Sequence, residues 1–241
     1  MNGKTQELRD PLLELRGIAK HYDMGETVVR ALDGVDLKIW EGEFTAILGP
    51  SGSGKSTLMH LLGFLDQASG GEMYFDGENV SGIGPNQRAM IRADKIGFVF
   101  QTFNLLPRLS VLENVLLPTS YSRTPQLRVR DRARTALDRV GMADRAGHRP
   151  SQLSGGQRQR VAIARALMNE PRLILADDPT GNLDSTTARS ILDLFKELNA
   201  QGGTVLIVTH DEKVARHTRR QIHVLDGRIC KETTAQEDAV P

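Results

Sequence analysis

The chain of 241 residues contains only one cysteine, Cys230, one tryptophan and three tyrosines. A single cysteine excludes a disulfide framework or a multi-cysteine zinc site within one chain, and this usage fits a reducing compartment. The chain also lacks an excess of either charge, since 31 lysine and arginine residues are balanced by 30 aspartate and glutamate residues. A nucleic-acid binder driven by bulk positive charge is therefore disfavoured, and we expect no nucleic-acid partner.

Long hydrophobic runs are missing as well. The only long stretch poor in charge, residues 44–65, has Lys55 and several glycines at its centre, which a membrane-spanning helix would not tolerate. The N-terminal residues 1–10 have no apolar core and no cleavage pattern, so no secretory signal is predicted. We therefore expect a cytoplasmic chain whose role at a membrane would depend on a partner.

Short apolar strands alternate with helical patterns along most of the chain. The strand-like runs lie at residues 35–40, 44–48, 72–75, 173–176, 204–208 and 221–225. Helical patterns separate several of them, which is typical of an α/β protein with a mostly parallel sheet covered on both faces. The pattern is helical from about 104 to 165, and we interpret this segment as a subdomain inserted in a single domain at 11–230. The polar segments 1–10 and 231–241 are predicted to be flexible tails.

A glycine-rich segment between an apolar strand and a helical pattern matches G-x-x-x-x-G-K-[S/T] without a mismatch. Its glycines allow backbone N–H groups to converge on phosphate oxygens, and the helix that follows directs its positive end at the same anion. We expect Lys55 to reach the β- and γ-phosphates and Ser56 to bind Mg²⁺. The predicted nucleotide-binding residues here are Gly49, Pro50, Ser51, Gly52, Ser53, Gly54, Lys55, Ser56 and Thr57.

Two aspartates, Asp177 and Asp178, follow the apolar run at 173–176. A buried strand delivers its last residues to the carboxyl edge of the sheet, where α/β folds bind ligands. We therefore expect Asp177 to hold Mg²⁺ through water and Asp178 to lie near the attacking water.

A second helix start suited to phosphate is predicted at Leu-Ser-Gly-Gly-Gln, residues 153–157. Ser154 is a good helix cap, and the glycines after it leave backbone N–H groups open. One chain would then carry two anion-binding helix starts but only one lysine-bearing loop. A head-to-tail dimer explains this, with each nucleotide held by the loop of one copy and by Ser154, Gly155, Gly156 and Gln157 of the other.

With these motifs in place, the chain resembles an ABC transporter ATP-binding subunit over nearly its whole length. The matching segments are 49–57 (Walker A), Gln101 (Q-loop), 153–157 (signature), 173–178 (Walker B), 181–184 (D-loop) and 209–210 (switch histidine). Residues 103–107 and 179–185 also resemble the macrolide-exporter and lipoprotein-releasing group. The resemblance implies a P-loop NTPase core with a parallel sheet, an N-terminal antiparallel β subdomain and an inserted α-helical subdomain.

The resemblance also implies roles for individual residues. Tyr22 would stack on adenine, and Gln101 would contact Mg²⁺ or the attacking water. Asp184 would lie at the dimer seam, and His210 would contact the γ-phosphate beside the catalytic Asp178. At that last position the family has glutamate, and the shorter aspartate withdraws its carboxylate by roughly 1.5 Å. A shifted backbone, a slow ATP switch and an engineered change are the three interpretations left open.

As a function, the resemblance implies a subunit that binds and hydrolyses ATP, dimerises on ATP and drives a separate integral-membrane permease from the inner face of the cell membrane. Extrusion of macrolides, peptides or lipoproteins is the expected process, with periplasmic or outer-membrane components as candidate further partners. An ATP-switched regulatory subunit without cargo is one alternative. A non-transport ABC ATPase is another, although the 122 positions from Lys55 to Asp177 hold no long coiled coil.

Overall fold

The structure, a computed structural model, describes residues 10–25, 27–121 and 128–234. Its elements are β1 (Leu13–Asp23), β2 (Val28–Ile39), β3 (Phe44–Leu48), α1 (Lys55–Leu62), β4 (Gly70–Phe75), β5 (Glu78–Asn79), α2 (Pro85–Lys95), β6 (Ile96–Phe100), α3 (Val111–Leu116), α4 (Val129–Arg139), α5 (Gly155–Leu167), β7 (Leu173–Asp177), α6 (Ser185–Ala200), β8 (Val205–Val208), α7 (Glu212–Ala215), β9 (Arg220–Leu225) and β10 (Arg228–Thr234). Within these ranges no helix is long and apolar enough to cross a membrane.

The larger sheet has six strands in the order β10-β9-β3-β8-β7-β6. All neighbours pair in parallel except β10, which runs antiparallel to β9 at one edge. The central strands β3, β8 and β7 are buried along nearly their whole length, which is why they form continuous apolar runs in the sequence. Their shared direction brings the ends of β3, β7 and β8 to one edge, and the predicted α/β fold is confirmed.

The N-terminal strands form a separate antiparallel sheet of four strands in the order β2-β1-β4-β5. Buried side chains of this sheet, such as Leu15 and Leu37, share one apolar core with Leu58 and Leu61 of α1. This sheet is the antiparallel β subdomain that the resemblance implied. Its packing fixes the β1–β2 hairpin against the helix that follows the glycine-rich loop.

Helices α3, α4 and α5 lie between β6 and β7 along the chain. They pack together and share a second apolar core with α6. The buried side chain of Asn114 in α3 holds the loop before it through hydrogen bonds. Its oxygen accepts from the Leu106 N–H at 2.8 Å, and its nitrogen donates to the carbonyl oxygens of Leu106 and Ser110. The loop that leads from β6 into the helical subdomain therefore has a defined shape.

Several boundaries differ from the expectations. Residues 231–234, which we assigned to a flexible tail, continue β10 and pair with β9. Because β10 is an edge strand whose side chains are mostly polar and exposed, its sequence shows no apolar period. Helix α1 ends at Leu62, where Gly63 caps it. Strand β6 and helix α2 were not predicted, and α2 carries no buried residue that could produce an apolar stripe. The tail at 1–10 lies outside the described residues except for Asp10.

Candidate nucleotide-binding and catalytic site

The glycine-rich loop connects β3 to α1 and wraps around the N-terminus of that helix. Gly49 and Gly54 have φ angles of 155° and 103°. A Cβ on Gly49 would collide with the carbonyl oxygen of Val224, and a Cβ on Gly54 would lie 2.5 Å from the carbonyl oxygen of Ala31. Only glycine fits these two positions, so the loop presents bare backbone around the helix start.

Lys55, the first residue of α1, folds back over this loop. Its Nζ donates to the carbonyl oxygens of Gly49 and Pro50, both at 2.7 Å. Burial lowers the pKa of Lys55 below its ordinary value, and the carboxylates of Asp177 and Asp178 counteract this. The ammonium group therefore spans the mouth of the loop, where it can exchange carbonyl partners for phosphate oxygens.

The turn between β9 and β10 supports the glycine-rich loop from outside. The N–H of Gly227 donates to the carbonyl oxygen of Ser53 at 2.9 Å, and its carbonyl oxygen accepts from the N–H of Asp33 at 3.0 Å. Gly227 is thus bonded to both the phosphate loop and strand β2. A cavity of about 370 Å³ opens beside it, lined by Val29 of the hairpin and by Lys55 and its neighbours.

Asp177 ends β7 beside this loop. Burial raises the pKa of Asp177 above its ordinary value, and the neighbouring Asp178 raises it further; His60 and Lys55 oppose this increase. A carboxylate that is short of compensating charge is a favourable ligand for a cation. The position fits the role that the sequence predicted for Asp177.

The side chains of Asp178, His210 and Gln101 converge next to Gly181. The Asp178 carboxylate accepts from the Thr209 hydroxyl at 3.3 Å and lies 3.5 Å from Nδ1 of His210. A Cβ on Gly181 would lie 2.5 Å from both Asp178 Oδ2 and Gln101 Nε2. Asp178 itself has φ of 39°, a conformation rare for an aspartate outside turns. The three predicted catalytic side chains therefore border one small volume.

The loop after Gln101 is fixed by arginines of α5 that the sequence analysis did not single out. Phe103 and Asn104 have left-handed φ angles of 63° and 49°. Arg165 donates to both of their carbonyl oxygens, that of Phe103 at 2.9 Å, and the guanidinium carbon of Arg158 lies 4.9 Å from the centre of the Phe103 ring. Burial lowers the pKa of Arg165. These arginines follow the signature in sequence, but nothing in their spacing indicates a partner about 60 residues away.

The signature residues form the start of α5. Ser154 accepts from the Gln157 N–H at 3.3 Å, while Gln157 Oε1 accepts from the Ser154 N–H at 2.9 Å, a reciprocal cap. Gly156 is buried, and a Cβ there would collide with Cγ2 of Thr187. Gly155 is less confined, with its nearest neighbour, Cδ2 of Leu183, at 3.2 Å from the same added atom. This helix start lies against α6, so its outward face belongs to the surface of the chain.

Asp184 caps α6 within its own chain. Its carboxylate accepts from the N–H groups of Thr186 and Thr187 and from the Thr187 hydroxyl at 2.6 Å. These hydrogen bonds hold the pKa of Asp184 below its ordinary value. Two residues before Asp184, Asn182 Nδ2 donates to the carbonyl oxygen of Gln101 at 3.1 Å. The segment 181–184 therefore contacts the Q-loop through Asn182 and, through Asp184, the Thr187 side chain that faces Gly156 of the signature.

Tyr22 lies on β1 opposite Val29 of β2, so both side chains lie on the same face of the hairpin. Because Val29 lines the cavity beside the phosphate loop, Tyr22 is at the edge of this site. Its hydroxyl donates to Asp66 Oδ2 at 3.0 Å. Burial raises the pKa of Tyr22, the hydrogen bond to Asp66 adds to this, and a contact with Thr57 acts in the opposite direction.

The donors at this site suit Mg²⁺ that arrives with a nucleotide. Mg²⁺ in such sites keeps several waters and binds one or two protein ligands together with substrate phosphates. Among the described residues no group of three or more histidine, cysteine or acidic side chains could hold a metal alone. The Ser56 hydroxyl on the first turn of α1 and the Asp177 carboxylate are the hard oxygen donors that this arrangement needs.

A model of the family described as ABC transporter matches residues 32–181. The chain belongs to the ABC transporter family. It is an ATP-binding cassette with ATPase chemistry, which confirms the predicted class of protein. Its fold and its nucleotide loop are those expected for such a cassette.

Two relatives illustrate how cassettes of this family occur. A macrolide export ATP-binding/permease protein, MacB of Marinobacter nauticus, is 49% identical over 226 residues, which cover 94% of this chain and 35% of the relative. An uncharacterized ABC transporter ATP-binding protein of Thermotoga maritima is 51% identical over 218 residues, covering 90% of this chain and 93% of the relative. The chain therefore spans about a third of MacB but nearly all of the Thermotoga protein.

A solved structure gives the same result for the fold. The ATP-binding cassette MJ0796, described as a dimer in a post-hydrolysis state bound to ADP and phosphate, is 48% identical to this chain and superposes with a TM-score of 0.83. The match covers 92% of this chain and 98% of MJ0796.

Proposed function

We propose that this cassette acts as a head-to-tail homodimer that closes on two ATP molecules and drives a separate membrane permease for export. The observation that carries the proposal is the pair of helix starts, at Lys55 and at Ser154, that offer backbone N–H groups while only the first has a lysine. Gly156 packs against Thr187 of α6 in its own chain. The outward face of the helix start at Ser154 therefore suits a nucleotide that is held by a second copy.

Within each site the side chains divide the work. Lys55 and the loop backbone bind and orient the phosphates, while Ser56, Asp177 and Gln101 are placed to hold Mg²⁺. When bound, Mg²⁺ neutralises charge that develops on the phosphates. Asp178 accepts a proton from the attacking water, and His210, at 3.5 Å from Asp178, contacts the transferred phosphate.

We propose that the permease contacts a groove bordered by α2, β6 and α5. A cavity of about 320 Å³ lies there, lined by Leu65, Phe98, Phe100, Pro118 and Arg165, among others. Leu65 is an exposed, large apolar residue, and so is Leu106 in the loop that Asn114 holds. A short amphipathic helix on the cytoplasmic side of a permease fits such a groove. Macrolides, peptides and lipoproteins are the proposed cargo classes, and the relative named as a macrolide exporter supports the first of them.

Trapping the dimer tests the proposal. Asp178→Asn should retain Mg-ATP and shift from monomer to dimer in analytical ultracentrifugation, because the amide cannot accept the proton. Adding Ser154→Arg to that variant should return it to monomer while ATP still binds. If Asp178→Asn stays monomeric with saturating Mg-ATP, the head-to-tail dimer is wrong. Reconstitution with the permease in liposomes then measures ATP-dependent cargo movement.

Asp178 favours one second candidate, a long-lived ATP switch that activates an envelope enzyme. Its carboxylate is one methylene shorter than the family's glutamate, and a misplacement of about 1 Å can cost a hundredfold in rate. In this case the permease partner remains but no cargo crosses. The liposome experiment separates the two, since the switch hydrolyses ATP slowly without cargo movement.

A further inference from the structure

Tyr22 is held from two sides by residues that no nucleotide motif includes. Its hydroxyl donates to Asp66 Oδ2 at 3.0 Å, and the ammonium group of Lys20 lies over its ring, 4.9 Å from the centre. Lys20 and Tyr22 are two apart on β1, which places their side chains on the same face. The ring therefore has one face covered by a cation and its polar edge tied down.

Asp66 is itself anchored in the turn after α1. Its Oδ1 accepts from Lys20 Nζ at 2.7 Å and from the N–H of Gln67 at 2.7 Å. Lys20 also donates to the carbonyl oxygen of Gln67 at 2.8 Å, and only 12% of its side chain is exposed. Although burial acts to raise the pKa of Asp66, these hydrogen bonds lower it below the ordinary value. The carboxylate thus connects the turn to both side chains of β1.

The direction in which Tyr22 is held matters because of the cavity beside it. Tyr22 is the cross-strand neighbour of Val29, which lines the cavity next to the phosphate loop. Because the Lys20 ammonium lies over one face of the ring, a base that stacks on Tyr22 would lie on the opposite face. An aromatic base suits that surface, because stacking on an aromatic side chain tolerates any base.

We propose that Asp66 and Lys20 are positioning residues that hold the Tyr22 ring in the orientation required to stack on the nucleotide base. The inference rests on the proposed function together with the role that the resemblance implies for Tyr22, which is to stack on adenine. A side chain that is already fixed loses little rotamer freedom on binding, which is worth about two- to tenfold in affinity. Without its anchors Tyr22 would have to be ordered by the base itself.

The test compares the affinity of Mg-ATP with that of Mg-tripolyphosphate, which carries the phosphates but no base, by titration calorimetry. Tyr22→Ala should weaken ATP binding by about tenfold or more and leave tripolyphosphate unchanged. Asp66→Asn and Lys20→Met should each weaken ATP binding about two- to tenfold, again without an effect on tripolyphosphate. Asp76→Asn is the matched control, since Asp76 forms an ion pair of 3.3 Å with Arg172 and contacts neither Tyr22 nor Lys20 in the described hydrogen bonds and ion pairs.

The double variant decides whether the anchors act through the ring. In the Tyr22→Ala background, Asp66→Asn should have no further effect on ATP affinity. An equal loss of ATP and tripolyphosphate affinity, or the same loss with and without Tyr22, would show a purely structural role and overturn the inference. If Tyr22→Ala weakens ATP binding but Asp66→Asn and Lys20→Met do not, the inference fails while the stacking role stands. If Tyr22→Ala has no effect, the stacking role itself is wrong.

Discussion

Arg165 in α5 donates from Nη2 to the carbonyl oxygen of Phe103 over 2.9 Å, and this bond ties the signature helix to the loop after Gln101. The guanidinium also bonds the next carbonyl, that of Asn104, and has no carboxylate partner among the described contacts. A partly buried cation that bonds only backbone oxygens is costly unless it maintains a specific geometry. A movement of the signature helix would therefore displace the loop that follows Gln101.

We predict that Arg165→Lys lowers ATP turnover about tenfold while nucleotide affinity changes little. Lysine keeps the charge but cannot donate in a fork to two carbonyl oxygens, so the Gln101 loop loses its support. The melting temperature should also fall, by about 2–4 °C for each kcal/mol lost in a domain of this size. Phosphate release and ATP titration measure the two effects. Arg139→Lys, which affects only a bond to Gln201, is the control.

Asp178→Glu should increase steady-state phosphate release by about ten- to a hundredfold. The longer side chain moves the carboxylate toward the volume beside Gly181, where the sites of Gln101 and His210 meet. Asp193→Glu on the exposed face of α6 controls for the added methylene. A glutamate variant no faster than the native chain would mean that the backbone at Asp178 already compensates for the shorter side chain.

Asp177→Asn should abolish Mg²⁺-dependent turnover and yet raise the melting temperature of the nucleotide-free protein at pH 7. The raised pKa of Asp177 means that the folded chain holds this proton more tightly than the unfolded one. Stability therefore decreases as the pH rises from the ordinary carboxyl pKa through the raised value. Thermal melts over a pH range from about 3 to 8 measure this effect.

The gain from Asp177→Asn should disappear below about pH 4, where the carboxyl is protonated in both states. Asp193→Asn, on an exposed helix face, should show no comparable gain. A variant less stable than the native chain at pH 7 would contradict the charge argument.

Gly156→Ala should destabilise the cassette by about 1–3 kcal/mol and prevent ATP-dependent dimerisation, because the added methyl group meets Thr187 Cγ2 and displaces the signature helix. Removing that methyl with Thr187→Ser should restore both properties, since serine keeps the hydroxyl that bonds Asp184. Gly147→Ala, where an added Cβ has no neighbour within 4 Å, is the control. Thermal melts and sedimentation measure the outcome, and failure of the serine variant to rescue would rule out this contact as the cause.

Much of this fold could be predicted because its central strands are buried on both faces. The strands that end at Leu48, Asp177 and Val208 are apolar except for Thr45 and Asp177 itself, and residues at or just after the end of each strand carry the chemistry of the site. The glycine-rich loop could also be predicted from the sequence, because the spacing of its glycines follows from how closely the backbone must approach phosphate. Position at a sheet edge therefore followed directly from sequence order.

Contacts between distant segments could not be predicted in this way. Arg165 bonds a loop 62 residues before it, and Asp66 bonds Tyr22 across 44 residues. A lone arginine in a helix or an aspartate in a turn has many possible partners, and only the folded chain selects one. The edge strand β10 escaped notice for a related reason, since its polar residues face solvent and lack an apolar period.

The backbone hydrogen bonds of Gly227 mean that the phosphate loop depends on residues that come after the last nucleotide-binding motif. A fragment cut after His210 would keep every motif of the nucleotide site, and a motif search would score it as complete. It would nevertheless lack the turn that links the Ser53 carbonyl to Asp33, leaving the phosphate loop without its outer brace. Expression boundaries and domain fusions should therefore lie beyond Thr234, where β10, the last strand among the described residues, ends.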